Sequence, residues 1–327
     1  MYWNRARTIL QSVFGPRTLR SNSSSSAPQR TAFLLLGGGA RGAAQAGALS
    51  VLLNAGIIPD LFIGISAGAW NSVYLASDPT AERARDLEAL WKQTTSRDVL
   101  GSGWWSAPLN AVASRVALYG DAGVRRLAQR FIADTTFEEL KVPTYVVTTE
   151  LETGNARVFY HGRALDPVLA SSAIPGIFPP VRVDDTFLVD GGLAEWEGSR
   201  LAIEMGATRV FLVACGSVFA PVQSCLSFRS MIERSMEITN KTSFASTVYA
   251  LQACNVEVIP VYPQMTVGSI LDFDHAESLV SAGRLAAKEA LNIWQHSQTH
   301  VDDSAEIGTV KPESALCPSI ALSIGHR

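Results

Sequence analysis

Between residues 31 and 295 the chain switches repeatedly from short apolar runs to stretches of helical periodicity, and this alternation constrains the fold more than any other property. TAFLLL (31–36), LFIGI (61–65), TYVVTTEL (144–151), TRVFLVAC (208–215) and VEVIPVYP (256–263) read as strands, with TFLVD (186–190) a further short one and NARVFYH (155–161) the partner of 144–151. AAQAGALSVLLNAG (43–56, closed by Gly56), AGAWNSVYLAS (67–77), TAERARDLEALWKQ (80–93), DAGVRRLAQRFI (121–132), SRLAIEMGA (199–207) and HAESLVSAGRLAAKEALNIW (275–294) read as helices. Strands separated by helices predict an α/β fold, a largely parallel central sheet with helices on both faces. One domain is expected over 31–295, with neither an internal repeat nor a linker inside it.

Of the 327 residues, 47% are hydrophobic and 17% charged, enough apolar material for a large core. No run reaches the roughly 18–20 uncharged apolar residues that a membrane-spanning helix needs, so contact with a membrane would be peripheral. A net charge of −3 with no basic block inside the folded region speaks against nucleic-acid binding. Cys215, Cys225, Cys254 and Cys317 have neither metal spacing nor a disulfide-framework pattern, which suits reduced thiols in a cytoplasmic protein without a metal. Residues 1–30 differ from the rest: five arginines, no acid, and a closing SNSSSSAPQR. A disordered tail, a peripheral membrane anchor with Trp3, Leu10, Val13 and Phe14 on one face, and an organelle transit peptide all fit. Residues 296–327 are polar and aperiodic and read as a second tail.

The first strand ends in GGGARG (37–42), where Gly37, Gly39 and Gly42 satisfy the G-x-G-x-x-G spacing of a dinucleotide cradle. A nicotinamide site also needs an acid at the end of the second strand; Asp60 precedes that strand instead. What ends it is Gly64-Ile65-Ser66-Ala67-Gly68, a G-x-S-x-G turn between strand and helix that raises a serine hydroxyl above the sheet. Beside such a nucleophile the first loop has a different use. Ester cleavage develops an oxyanion, and glycine amides at a helix N-terminus offer unobstructed N–H donors, with Arg41 adding positive charge. Both loops lie at the carboxyl ends of adjacent strands, where open α/β sheets bind ligands. A base is also required. Asp190 ends another strand and is followed by Gly191 and Gly192; it reads either as that base or as an ordinary Asp-Gly turn.

GGGARG (37–42), GISAG (64–68) and DGG (190–192), in this order, resemble the bacterial-type patatin-like phospholipase family. SSAIPGIFPPV (171–181) is similar to the family's proline-rich segment, and LDFDHAESLVSAGRLAAKEAL to its C-terminal helix. The resemblance runs over about 31–295. It implies a three-layer sandwich and a lipid acyl hydrolase of the phospholipase A or lysophospholipase type, working without a cofactor. Ser66 would be the nucleophile, Asp190 the base, and Gly37, Gly38, Gly39, Arg41 and Gly42 the oxyanion hole. One stretch departs: where the family commonly continues with Asn and then Pro, this chain has LAEWEGS (193–199). A neutral-lipid or general carboxylesterase, and a catalytically weak lipid-binding protein on the same fold, are the alternatives. Trp104 and Trp105, in a segment without regular patterning, suit either a lid or the core. The order Ser66, Asp190, His275 would also allow a histidine triad, although His275 is explained equally by a helix-capping region.

Overall fold

A computed structural model of the chain describes residues 29–101, 116–216, 227–265 and 268–302. The expectations for residues 1–28, for Trp104 and Trp105 and for residues beyond 302 lie outside these. One sheet contains β1 (Thr31–Leu35), β2 (Leu61–Ile65), β3 (Thr144–Glu150), β4 (Ala156–Phe159), β5 (Val181–Val183), β6 (Thr186–Val189), β7 (Arg209–Val213) and β8 (Glu257–Val261). Its order is β5-β6-β3-β2-β1-β7-β8, with β4 also paired to β3. The run β3-β2-β1-β7-β8 is parallel, while β4, β6 and β5 add antiparallel pairs.

The described helices are α1 (Gly42–Asn54), α2 (Ala67–Ala76), α3 (Ala81–Gln93), α4 (Ser96–Leu100), α5 (Ala122–Phe131), α6 (Leu165–Ser171), α7 (Trp196–Glu204), α8 (Phe228–Ala253) and α9 (Ala276–Asp302). Strand side chains alternate between two cores. Phe33 and Leu35 join Phe62 and Phe211 in one, covered by Leu49 of α1, Val73 of α2, Leu87 of α3 and Val280 of α9. Leu34 joins Ile63 and Leu212 in the other, covered by Leu201 of α7 and Val248 of α8. This is the expected three-layer α/β sandwich, and it explains why β1 is buried at every position.

Small residues let α1 and α9 touch backbone to backbone. A Cβ on Gly47 would overlap the Val280 carbonyl, and one on Gly283 would overlap that of Ala44. The approach buries Leu49 and Leu52 completely, each worth about 1.5–3 kcal/mol of transfer free energy. Because α1 is covered all round, it has no polar face, and its apolar sequence is that of an interior helix. Several features differ from the sequence reading: α4, α6, α8 and β5 lie in stretches read without an element. α9 continues to Asp302, and Arg30 is tied into the fold through hydrogen bonds to Met205 O and Thr208 Oγ1.

Candidate active site

The carboxyl ends of β1 and β2 and the end of β6 converge. Ser66 caps α2 with φ 53° and ψ −122°, a conformation rarely adopted outside glycine and worth about 1–3 kcal/mol of strain. Close packing holds it there: a Cβ at Gly64 would overlap Ser72, and one at Gly68 would overlap the Leu35 carbonyl. The Ser66 amide donates to Ser171 Oγ (2.8 Å), whose own hydroxyl donates to Val147 O (2.6 Å). The sharp turn is therefore anchored to β3 through the end of α6. Ser171 was invisible as a site residue in the sequence; a serine at a helix end carries no spacing signal.

Ser66 Oγ donates to Asp190 Oδ2 at 2.8 Å, and both side chains are buried. The carboxylate is fixed from several sides. Gly192 N–H donates to Oδ1 (2.7 Å), Thr149 Oγ1 donates to the Asp190 carbonyl (2.9 Å), and the Asp190 amide donates to Ala173 O (3.0 Å). Gly191 lies so close to β3 that a Cβ there would overlap the Val147 carbonyl. Burial pushes the Asp190 carboxyl up to about 6, against the opposing effect of the hydrogen bonds from Gly192 and Ser66.

The glycine loop borders the same point. A Cβ built on Gly37 would lie 3.2 Å from Ser66 Cβ and 3.8 Å from Oγ. No acceptor among the described residues takes the amides of Gly37 and Gly38. Gly39 has φ +57° with the Ile270 carbonyl against it, and the next amide, of Ala40, donates to that carbonyl (2.8 Å). Gly42 opens α1 against the Trp91 ring. Arg41, expected to add positive charge beside the oxyanion, has that charge taken up within the fold. It is buried, with Nε donating to Gly268 O (3.0 Å), Nη1 donating to Gly216 O (3.4 Å) and Nη2 paired with Glu237 of α8. It braces the loop, since a guanidinium removed from water needs its donors filled. A buried polar chain supports the loop from below: Trp91 Nε1 donates to Asn71, Asn71 to Gln45, and Gln45 to the carbonyls of Leu36 and Val213.

His275 is half-exposed and its Nδ1 pairs with Asp272 Oδ2 at 2.8 Å, away from Asp190. His161 stacks on Tyr160. Asp60 lies at the start of β2, where its carboxylate accepts from the Thr31 amide (2.6 Å), the wrong end for a ribose. Among the described residues, no cluster of His, Cys, Asp or Glu is placed to hold a metal ion, and no helix is long and apolar enough to cross a membrane. A cavity of about 280 Å³ opens beside Asp190 and Gly192, walled chiefly by Ile174, Leu193, Phe228, Met231 and Ile232.

The family model described as patatin-like phospholipase matches residues 33–195, from β1 through the turn after Asp190. The chain belongs to the patatin-like phospholipase family. An uncharacterized NTE family protein of Mycobacterium tuberculosis is 27% identical over 276 residues, which cover 79% of this chain and 46% of that protein. Patatin-like phospholipase domain-containing protein 6 of Homo sapiens is 29% identical over 188 residues, 57% of this chain and 13% of that protein. The chain therefore spans less than half the length of these relatives. Among solved structures, VipD from Legionella pneumophila matches with a TM-score of 0.42 and 14% identity, covering 82% of this chain and 68% of that chain. The patatin-like match ends at Glu195, so α7, α8 and the Glu237 that α8 supplies to Arg41 lie beyond it.

Proposed function

We propose that this chain is a serine acyl hydrolase that cleaves fatty acyl esters of phospholipids or lysophospholipids with a Ser66–Asp190 dyad. The observation that carries the reading is the direct 2.8 Å hydrogen bond from a serine on a strained strand-to-helix turn to a buried carboxylate. Asp190 takes the Ser66 proton as Oγ attacks the ester carbonyl, and the amides of Gly37 and Gly38 accept the negative charge that builds on the carbonyl oxygen. Collapse expels the alcohol, which leaves with the proton from Asp190. Water then gives a proton to Asp190 and attacks the acyl-enzyme; the proton returns to Oγ as the fatty acid departs. An exposed aspartate, near 3.9, is a poor base for this task. Burial of Asp190 strengthens it toward neutral pH.

The apolar cavity supports a lipid substrate, because an acyl chain on Ile174, Phe228 and Met231 would bring its ester to Asp190. Leu193, Phe228 and Met231 are exposed as well as lining, so the entrance is as greasy as the interior. The departure at 193–199 leaves the hydrogen bonds of Asp190 in place, which favours a hydrolase over a lipid-binding relative. A fluorophosphonate probe tests the reading: it should label wild type at Ser66 alone, and Ser66→Ala should lose labelling and ester turnover while keeping its circular dichroism. Labelling elsewhere, or turnover surviving in a folded Ser66→Ala, would remove Ser66 from the mechanism.

A further inference from the structure

The proposed dyad uses one carboxyl, yet the structure buries a second one five residues on. Glu195 stands where the turn Gly191–Ala194 passes into α7, and it is 2% exposed. Neither carboxyl oxygen has a hydrogen-bond partner among the described residues. Three groups face it: Asp190 on its own segment, the Cys215 thiol just beyond β7, and the Ser243 hydroxyl of α8, close enough to lower its proton affinity but not aligned for a well-made hydrogen bond. Arg41, the cation that also faces Cys215, is already taken by Glu237 and the carbonyls of Gly216 and Gly268. On α7, Glu197 and Arg200 are paired with each other.

A carboxylate with no donor and no free counter-ion is costly to bury, and the neutral acid is far less so. Burial, followed by the nearby charge of Asp190, pushes Glu195 up to about 8 against the pull of Ser243. Around neutral pH it therefore carries its proton. A charge created there has only the Ser243 hydroxyl near enough to relieve it, so ionisation favours a rearrangement of the backbone segment that carries it. That backbone is continuous with Gly192, whose N–H sets the orientation of the Asp190 carboxylate (2.7 Å).

We propose that Glu195 is a positioning residue for Asp190: as a neutral acid it lets the Gly191–Ala194 turn hold Asp190 against Ser66, and on ionising it releases that turn and stops acyl transfer. The inference rests on the dyad reading given above.

The experiment follows kcat/KM on a soluble short-chain nitrophenyl ester, together with the rate of fluorophosphonate labelling at Ser66, from neutral to alkaline pH. Wild type should lose about thirtyfold between about pH 7 and about pH 9.5, the loss of protonated fraction expected for a group titrating near 8. Activity should return on readjustment to neutral pH. Glu195→Gln, which imitates the protonated acid, should stay within about twofold of its neutral-pH rate across the same range. Glu195→Met should do likewise, since what matters is the missing charge. A merely structural role would depress both variants equally at every pH and leave the wild-type limb in them. The inference is overturned by a wild-type rate that is flat to about pH 9.5, or by an alkaline loss that Glu195→Gln shares. If neither variant folds, the wild-type labelling profile still decides, because a flat profile excludes the switch. Absence of turnover and labelling at neutral pH would instead defeat the dyad reading, and this inference with it.

Discussion

The elevated proton affinity of Asp190 has a direct kinetic consequence. Its carboxyl moves from 3.8 to about 6 because it is wholly buried, and two units correspond to about 3 kcal/mol of difference between its protonation states. Catalysis through the dyad needs the ionised form, so activity is present above about 6 and is lost as pH falls through that value. At about pH 5 roughly one molecule in eleven would hold Asp190 ionised, and at about pH 4 roughly one in a hundred. An exposed aspartate would remain almost fully ionised at about pH 5. The assay is kcat/KM on a soluble nitrophenyl ester at subsaturating concentration, quenched to alkaline pH before the nitrophenol is read, because kcat/KM reports the free enzyme. Reversibility, checked by returning samples to neutral pH, separates titration from acid unfolding. An acid limb centred at or below about 4 would refute the argument, because Asp190 would then be titrating as if solvated.

Histidine gives a sharper test of mechanism: Asp190→Asn should lose about a thousandfold or more in kcat, while His275→Ala should stay within about threefold. An equally inactive but folded His275→Ala would replace the dyad with a triad. In the glycine loop, Gly38→Ala places a Cβ onto the Cys215 side chain. Shifting the loop amides in this way should cost about a hundredfold or more in kcat and about 1–3 kcal/mol in urea-unfolding stability. Near-normal turnover would show that the Gly38 amide is not an oxyanion donor.

The residues that were legible in the sequence share one property: their demands are local. Gly64 and Gly68 must be glycine because one turn is tight enough to bring Gly64 against Ser72 and Gly68 against Leu35, and Ser66 stands between them at φ 53°, where only a chemical use justifies a side chain. Asp190 with its two glycines is a similar short-range statement. Ser171 reaches Ser66 from 105 residues away, and Glu237 reaches Arg41 from 196, so no spacing along the chain announces either. The charge of Arg41 is visible in the sequence, while its pairing with Glu237 is not, for the same reason. α8 escaped notice because few of its residues are buried, Phe244, Val248 and Leu251 being its apolar contribution to the core. A mostly solvated helix leaves a faint apolar period.

The anchoring of Arg41 also sets an order of events. GGGARG, GISAG and DGG are all made by residue 192, but the groups that fill the guanidinium come from Gly216, Glu237 and Gly268. Ala40 waits for Ile270, and α1 waits for α9 to close over Ala44 and Gly47. A growing chain thus displays its whole reactive vocabulary long before it can use it. Contacts of such long sequence separation slow folding, and the glycine loop is fully braced only once residues 216–270 have docked. The three motifs near Ser66 are thus held in place by residues that follow all of them in the chain.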